Sequence, residues 1–129
     1  MGYVLVFLGG GTGAICRYVA TTLLSARFGS FFPLGTFFVN ACGSFLMGFL
    51  TSMLLRFAVH DADFFPETWR LLLAVGFLGG FTTFSSFSMD TLLLINGSHA
   101  MLALVNVLVN VLVGLVLAWL GFVLARFIF

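Results

Sequence analysis

Apolar residues run along this chain in four long stretches, and the polar positions collect mainly in the gaps between them. A helix needs about 20 mostly apolar residues to cross the hydrocarbon of a bilayer. The first stretch covers residues 3–24 and ends at Ser25-Ala26-Arg27-Phe28-Gly29-Ser30 and Pro33. The second covers 35–56 and is followed by the one strongly polar segment, His60-Asp61-Ala62-Asp63 through Pro66-Glu67. The third covers 70–95 and stops at the turn cluster Asn96-Gly97-Ser98-His99, and the fourth fills 100–126. The pattern predicts one all-α integral membrane domain over residues 1–129, with four transmembrane helices. No basic segment precedes the first stretch and no small-residue cleavage site follows it, so it reads as a retained span rather than a signal peptide.

Composition strengthens this reading. Only 7% of the residues are charged and 62% are hydrophobic, with 18 Phe and no Lys. A water-soluble domain carries roughly a quarter of its residues as charges, so this surface is built to face lipid. Disorder, which needs low hydrophobicity and high charge, is excluded by the same figures. The five arginines are scattered singly, and no basic stripe exists to neutralise phosphates, which excludes nucleic-acid binding. Counted at the span ends, Arg56, Arg70 and Arg126 fall on the side of the termini, against Arg27 and Arg17 on the other. That bias is too weak to fix one orientation, so either or both are open.

Polar groups inside the spans carry the candidate chemistry, because the bilayer core offers them no water. In the third span, Gly79-Gly80-Phe81-Thr82-Thr83-Phe84-Ser85-Ser86-Phe87-Ser88 places five hydroxyls, two glycines and three phenyl rings in ten residues. Gly79-Gly80 weakens the helix, and the Thr and Ser that follow can bond the backbone in place of the ladder. A break near mid-membrane is expected there, with Thr82 or Thr83 capping a second half-helix. Such a break exposes carbonyls and a helix N-terminus, elements that bind ions in transporters; a kink packed through small residues is the alternative. Asn40 and Ser44 share a face of the second span, and Asn106, Asn110 and Gly114 form a similar stripe on the fourth. These neutral donors suit an anion that must be stripped of water and released, although each Asn can equally serve as interhelical glue.

Phe84 and Phe87 share a face of the second half-helix, where ring edges carry partial positive charge. Asp90 is the one intramembrane acid, placed either for proton coupling or within reach of water. Arg17 either snorkels to an interface or draws anions into a vestibule. Cys16 and Cys42 have no metal-ligand spacing and read as small packing residues. The glycines at 9–13 lack a dinucleotide fingerprint, and without Lys there is no phosphate-binding loop, so no enzyme is indicated. Gly9 with Gly13, and Gly76 with Gly80, instead have the small-xxx-small spacing of closely packed membrane helices. A four-helix bundle has little room for an aqueous path, so burial of its polar faces calls for a second copy, and a homodimer is expected.

Three ordered elements now resemble the Fluc (CrcB) family of small bacterial fluoride channels over nearly the whole chain. They are Gly9-Gly10 with Gly13-Ala14 and Arg17-Tyr18; Gly35-Thr36 with Val39-Asn40, Gly43-Ser44 and Gly48; and the run from Gly76 to Ser88. The resemblance implies an antiparallel, dual-topology homodimer in the bacterial cytoplasmic (inner) membrane. Two pores per dimer would export fluoride passively and relieve its toxicity. It implies that Asn40, Phe84 and Phe87 line the pore, with Ser85, Ser86 and Asn110 along a polar track. Carbonyls of Gly79 and Thr82 from both subunits would hold a structural sodium ion on the dimer axis. One departure stands out: family members often have a serine one turn beyond the Asn110 position, where this chain has Gly114. The competing reading is a proton-coupled exporter of the small multidrug-resistance type. That class relies on a glutamate in its first span, which has no acid here, so Asp90 would have to serve.

Overall fold

A computed structural model of the chain describes residues 1–60 and 67–129, and the regular structure among them is entirely helical. Asp61 to Pro66, most of the polar segment, lie outside the described residues. Helix α1 is Gly2–Phe28 and α2 is Leu34–His60. The third span is made of α3, residues 67–81, and α4, Phe84–Asn96; the fourth is α5, Ala100–Ile128. Four helical segments are therefore long and apolar enough to cross a membrane. Helix α1 outruns its apolar stretch and stops at Gly29, whose φ of 80° lies in the left-handed region glycine adopts without strain. Helix α2 starts directly after Pro33, whose carbonyl accepts from Phe37 N at 3.1 Å. The turn expected at 96–99 forms, with the positive φ on Ser98 rather than on Gly97.

In lipid the helices gain little from hydrophobic burial, so association rests on close contact and hydrogen bonds. Helix α3 lies along α1 through the glycines that the spacing singled out. A Cβ on Gly9 would strike Leu72 O, one on Gly13 would strike Phe77 O, and one on Gly80 would strike Gly10 O. Helix α2 packs on the C-terminal half of α5 in the same way, with Gly48 against Ala118 O and Gly121 against Phe45 O. Helix α4 packs on the N-terminal half of α5. Two stretches, Arg70–Leu78 in α3 and Val109–Val113 in α5, are π-helical, a geometry frequent at functional sites. The second carries Asn110.

The glycine pair does not unwind its own turn. Gly79 has helical dihedrals and the helix continues to Phe81; Thr82 (φ −82°, ψ 156°) and Thr83 (φ −151°, ψ 112°) are extended instead. Packing explains the displacement. Gly80 is held helical against the Gly10 backbone, whereas Thr82 lies against Gly43 of α2, where a Cβ would collide with its methyl group. The expected cap at Thr83 forms, but propensity alone does not show that the glycine pair stays helical, because the neighbouring helix decides that.

Candidate functional site

The extended pair leaves backbone groups without ladder partners, and Asn40 of α2 supplies them. Thr83 N–H, which an unbroken helix would direct to Gly79 O, donates to Asn40 Oδ1 at 2.8 Å. Asn40 Nδ2 donates back to Thr83 O at 3.1 Å. Thr83 is buried, so without Asn40 these groups would have no substitute in water. The Thr83 hydroxyl caps α4 by accepting from Ser86 N at 3.1 Å. It also lies 3.0 Å from Ser86 Oγ and 3.3 Å from Ser85 Oγ, so the three hydroxyls form one cluster at the N-terminus of α4.

Asn40 also reaches across to the fourth span. Its Nδ2 donates to Asn110 Oδ1 at 3.2 Å, and Asn110 Nδ2 donates to both Asn106 Oδ1 and Asn106 O at 2.9 Å. Asn106, with 0% exposure, donates to Thr91 Oγ1 at 3.0 Å, and that hydroxyl donates to Phe87 O at 2.8 Å. Three elements that are distant in sequence thus share one polar seam.

Beside the seam is a cleft of about 190 Å³ lined by Asn40, Ser44, Phe84, Phe87, Asn110 and Val111. Every lining side chain is neutral. The rings of Phe84 and Phe87 lie 5.4 Å apart at 57°. Phe87 is 8% exposed and closes the cleft from within, while Phe84 is 78% exposed and projects from the bundle. The structure therefore brings together Asn40, Phe84, Phe87 and Asn110, and sets Ser85 and Ser86 beside them at the α4 cap. Ser44 also lines the cleft; its place one helical turn after Asn40 was the signal for it in the sequence. Its hydroxyl makes no hydrogen bond among the described residues, and it is 3.5 Å from where a Gly114 Cβ would stand. Beside Gly114 the second span thus presents a hydroxyl.

Other expected residues lie elsewhere. Arg17 is half-buried on α1, which packs chiefly on α3, and it does not line the cleft. Gly79 is exposed and Thr82 half-buried beside the extended turn. Asp90 accepts from buried Thr36 at 2.7 Å and lines a separate cleft of about 360 Å³ with Ser30, Phe31 and Pro33. Cys42 is half-buried, but Cys16 is exposed on α1 rather than packed.

Residues 4–122 match the family described as CrcB-like protein, Camphor Resistance (CrcB). Similar proteins carry the name fluoride-specific ion channel FluC. One from Coxiella burnetii (strain CbuK_Q154) is 43% identical over 98% of both chains. Another from Solibacter usitatus (strain Ellin6076) is 42% identical over 98% of this chain and 99% of the relative. A third, from Pyrococcus abyssi (strain GE5 / Orsay), is 42% identical over 95% and 94% respectively.

Proposed function

Since this chain belongs to the CrcB family, we infer that it is a fluoride-specific ion channel, a multi-pass membrane protein that makes and breaks no covalent bond. The observation that best supports a conduction role for the cleft is its lining: carboxamides, a free hydroxyl and two phenyl rings, with no charged side chain. A small anion needs donors to replace its water, yet a fixed cation would hold it too strongly to let it leave. Asn40 and Asn110 present carboxamides, and Ser44 contributes a hydroxyl with no competing partner. Because Asn40 already donates to Asn110 Oδ1, a fluoride ion entering the cleft competes with that oxygen for the N–H. Ring edges of Phe84 and Phe87 contribute partial positive charge along the wall. Ser85 and Ser86 continue the track past the α4 cap, and Arg17 attracts anions toward a vestibule.

The chain works as an antiparallel, dual-topology homodimer with two pores; Phe84, exposed at the neutral cleft, is where a second copy would complete the lining. The extended Thr82–Thr83 pair then lies near mid-membrane. The same turn suits a sodium ion on the dimer axis. The amides that would pair with Gly79 O and Thr82 O in an unbroken helix donate instead to Asn40 Oδ1 and Thr83 Oγ1. Carbonyl dipoles freed from a ladder replace the hydration shell of a monovalent cation. Gly79 and Thr82 would hold it, and when bound it would supply a fixed positive charge that ties two copies together. The membrane is the bacterial cytoplasmic membrane, across which fluoride leaves down its own gradient.

Fluoride efflux from proteoliposomes, measured with an ion-selective electrode and without a proton gradient, tests the reading. Fast fluoride release with chloride retained is expected, and no fluoride release would refute it. Asp90→Asn should leave that flux in place, since the acid lies outside the cleft; a requirement for Asp90 together with proton movement would favour the exporter instead.

A further inference from the structure

The polar seam has a direction. Thr83 N–H can only donate, so Asn40 must turn its Oδ1 toward it, which leaves its Nδ2 to donate to Thr83 O and Asn110 Oδ1. At the other end Phe87 O can only accept, so Thr91 must donate to it and offer its oxygen to Asn106. Between these backbone ends the three carboxamides run head to tail, each Nδ2 donating to the next acceptor. The backbone therefore dictates every amide orientation, and turning one amide over would break the bonds of its neighbours.

Two members of this chain do not line the cleft: Asn106, which is fully buried, and Thr91. We propose that Asn106 and Thr91 are positioning residues, which hold the carboxamide that Asn110 presents in the cleft beside Asn40. Without the Thr91 hydroxyl, Asn106 Nδ2 loses its acceptor, and only Asn110 still holds the Asn106 amide in place. Asn110 then keeps its bonds to Asn106 O and from Asn40 Nδ2 but loses a firmly held Oδ1 partner at Asn106, so its carboxamide is held less tightly. Asn40 stays fixed by Thr83 while the Asn110 carboxamide beside it loosens, which weakens anion binding more than it slows an anion already bound. The proposal rests on the fluoride-channel reading and is tested by an experiment that separates the two.

The experiment compares Thr91→Val, which has the shape of Thr without its hydroxyl, with Thr91→Ser, which keeps the hydroxyl, in proteoliposomes over a range of fluoride concentrations. Thr91→Val is expected to raise the half-saturating fluoride concentration about three- to tenfold, the effect of one net hydrogen bond, with little change in maximal flux. Thr91→Ser is expected to restore it. Asn106→Leu should give an equal or larger shift, and the double variant should be no worse than Asn106→Leu alone, because the two residues act in series. If Asn106→Leu does not fold, the Thr91 pair decides. Wild-type half-saturation in Thr91→Val overturns the proposal. A second readout is independent of flux: in protein labelled with ¹⁵N-asparagine, Thr91→Val should shift the side-chain amide signals of Asn110 as well as Asn106. A shift confined to Asn106 overturns the proposal even if the wild type passes no fluoride, the result that would sink the channel reading itself.

Discussion

Replacing Asn40 by Leu should damage stability and conduction together, and the structure gives the scale. The substitution removes three hydrogen bonds: two to the Thr83 backbone and one to Asn110. Polar contacts between membrane helices average about 0.6 kcal/mol and reach about 1.7, so three give roughly 2 kcal/mol. Buried backbone groups left without partners cost about 1–3 kcal/mol each, and here Thr83 would strand two. The two figures count the same Thr83 bonds and are not added, so a loss of about 2–6 kcal/mol is expected, measured by reversible unfolding in mixed micelles followed by circular dichroism. Fluoride efflux should fall by about tenfold or more, because Asn40 lines the cleft and one hydrogen bond to a charged ligand is worth about 1.5–3 kcal/mol. Ser44→Ala is the control: it lines the same cleft but no hydrogen bond depends on it, so it should lower flux while changing stability by less than about 0.5 kcal/mol. An Asn40→Leu protein within about 0.5 kcal/mol of wild type would refute the assignment of Asn40 as the partner of the extended turn.

Three further outcomes follow from the packing and the proposed ion. Gly13→Leu, whose side chain must displace the Phe77 carbonyl, should cost about 3 kcal/mol or more and abolish a monodisperse peak on size exclusion, whereas Gly11→Ala, with open space around it, should be neutral or slightly stabilising. Gly114→Ser should fold normally, because the nearest atom to its Cβ is Ser44 Oγ at 3.5 Å, and should conduct fluoride at close to the wild-type rate; a collapse of flux would show that Ser44 needs that space empty. Replacing sodium by a bulky organic cation should lower the thermal midpoint of the purified assembly by several degrees, as expected for a ligand bound only to the folded state. An unchanged midpoint over a wide sodium range would remove Gly79 and Thr82 from the proposed cation site.

Much of this architecture was legible without coordinates because lipid imposes a simple rule. Each span must be long, apolar and internally hydrogen-bonded, so the four stretches, the turn at 96–99 and the small-xxx-small contacts between α1 and α3 could all be read from spacing. The asparagines and the hydroxyl-rich run were conspicuous for the same reason: polar groups are expensive there. Thr83 as the cap of the second half-helix was legible too, but not that the glycine turn before it would stay helical. Gly80 is held helical by the Gly10 backbone, and the Thr83 amide finds its partner on a helix more than forty residues away. Whether an asparagine faces the cleft or supports another from behind is equally a tertiary matter. Asn106 and Asn110 stand one turn apart with the same chemistry, yet one is sealed beneath α4 beside Thr91 and the other lines the wall. The sequence by itself therefore determined which groups had to be removed from lipid, since that cost belongs to each residue type. Only the packed helices decided which donor meets which acceptor, because that depends on how closely backbones from different spans approach.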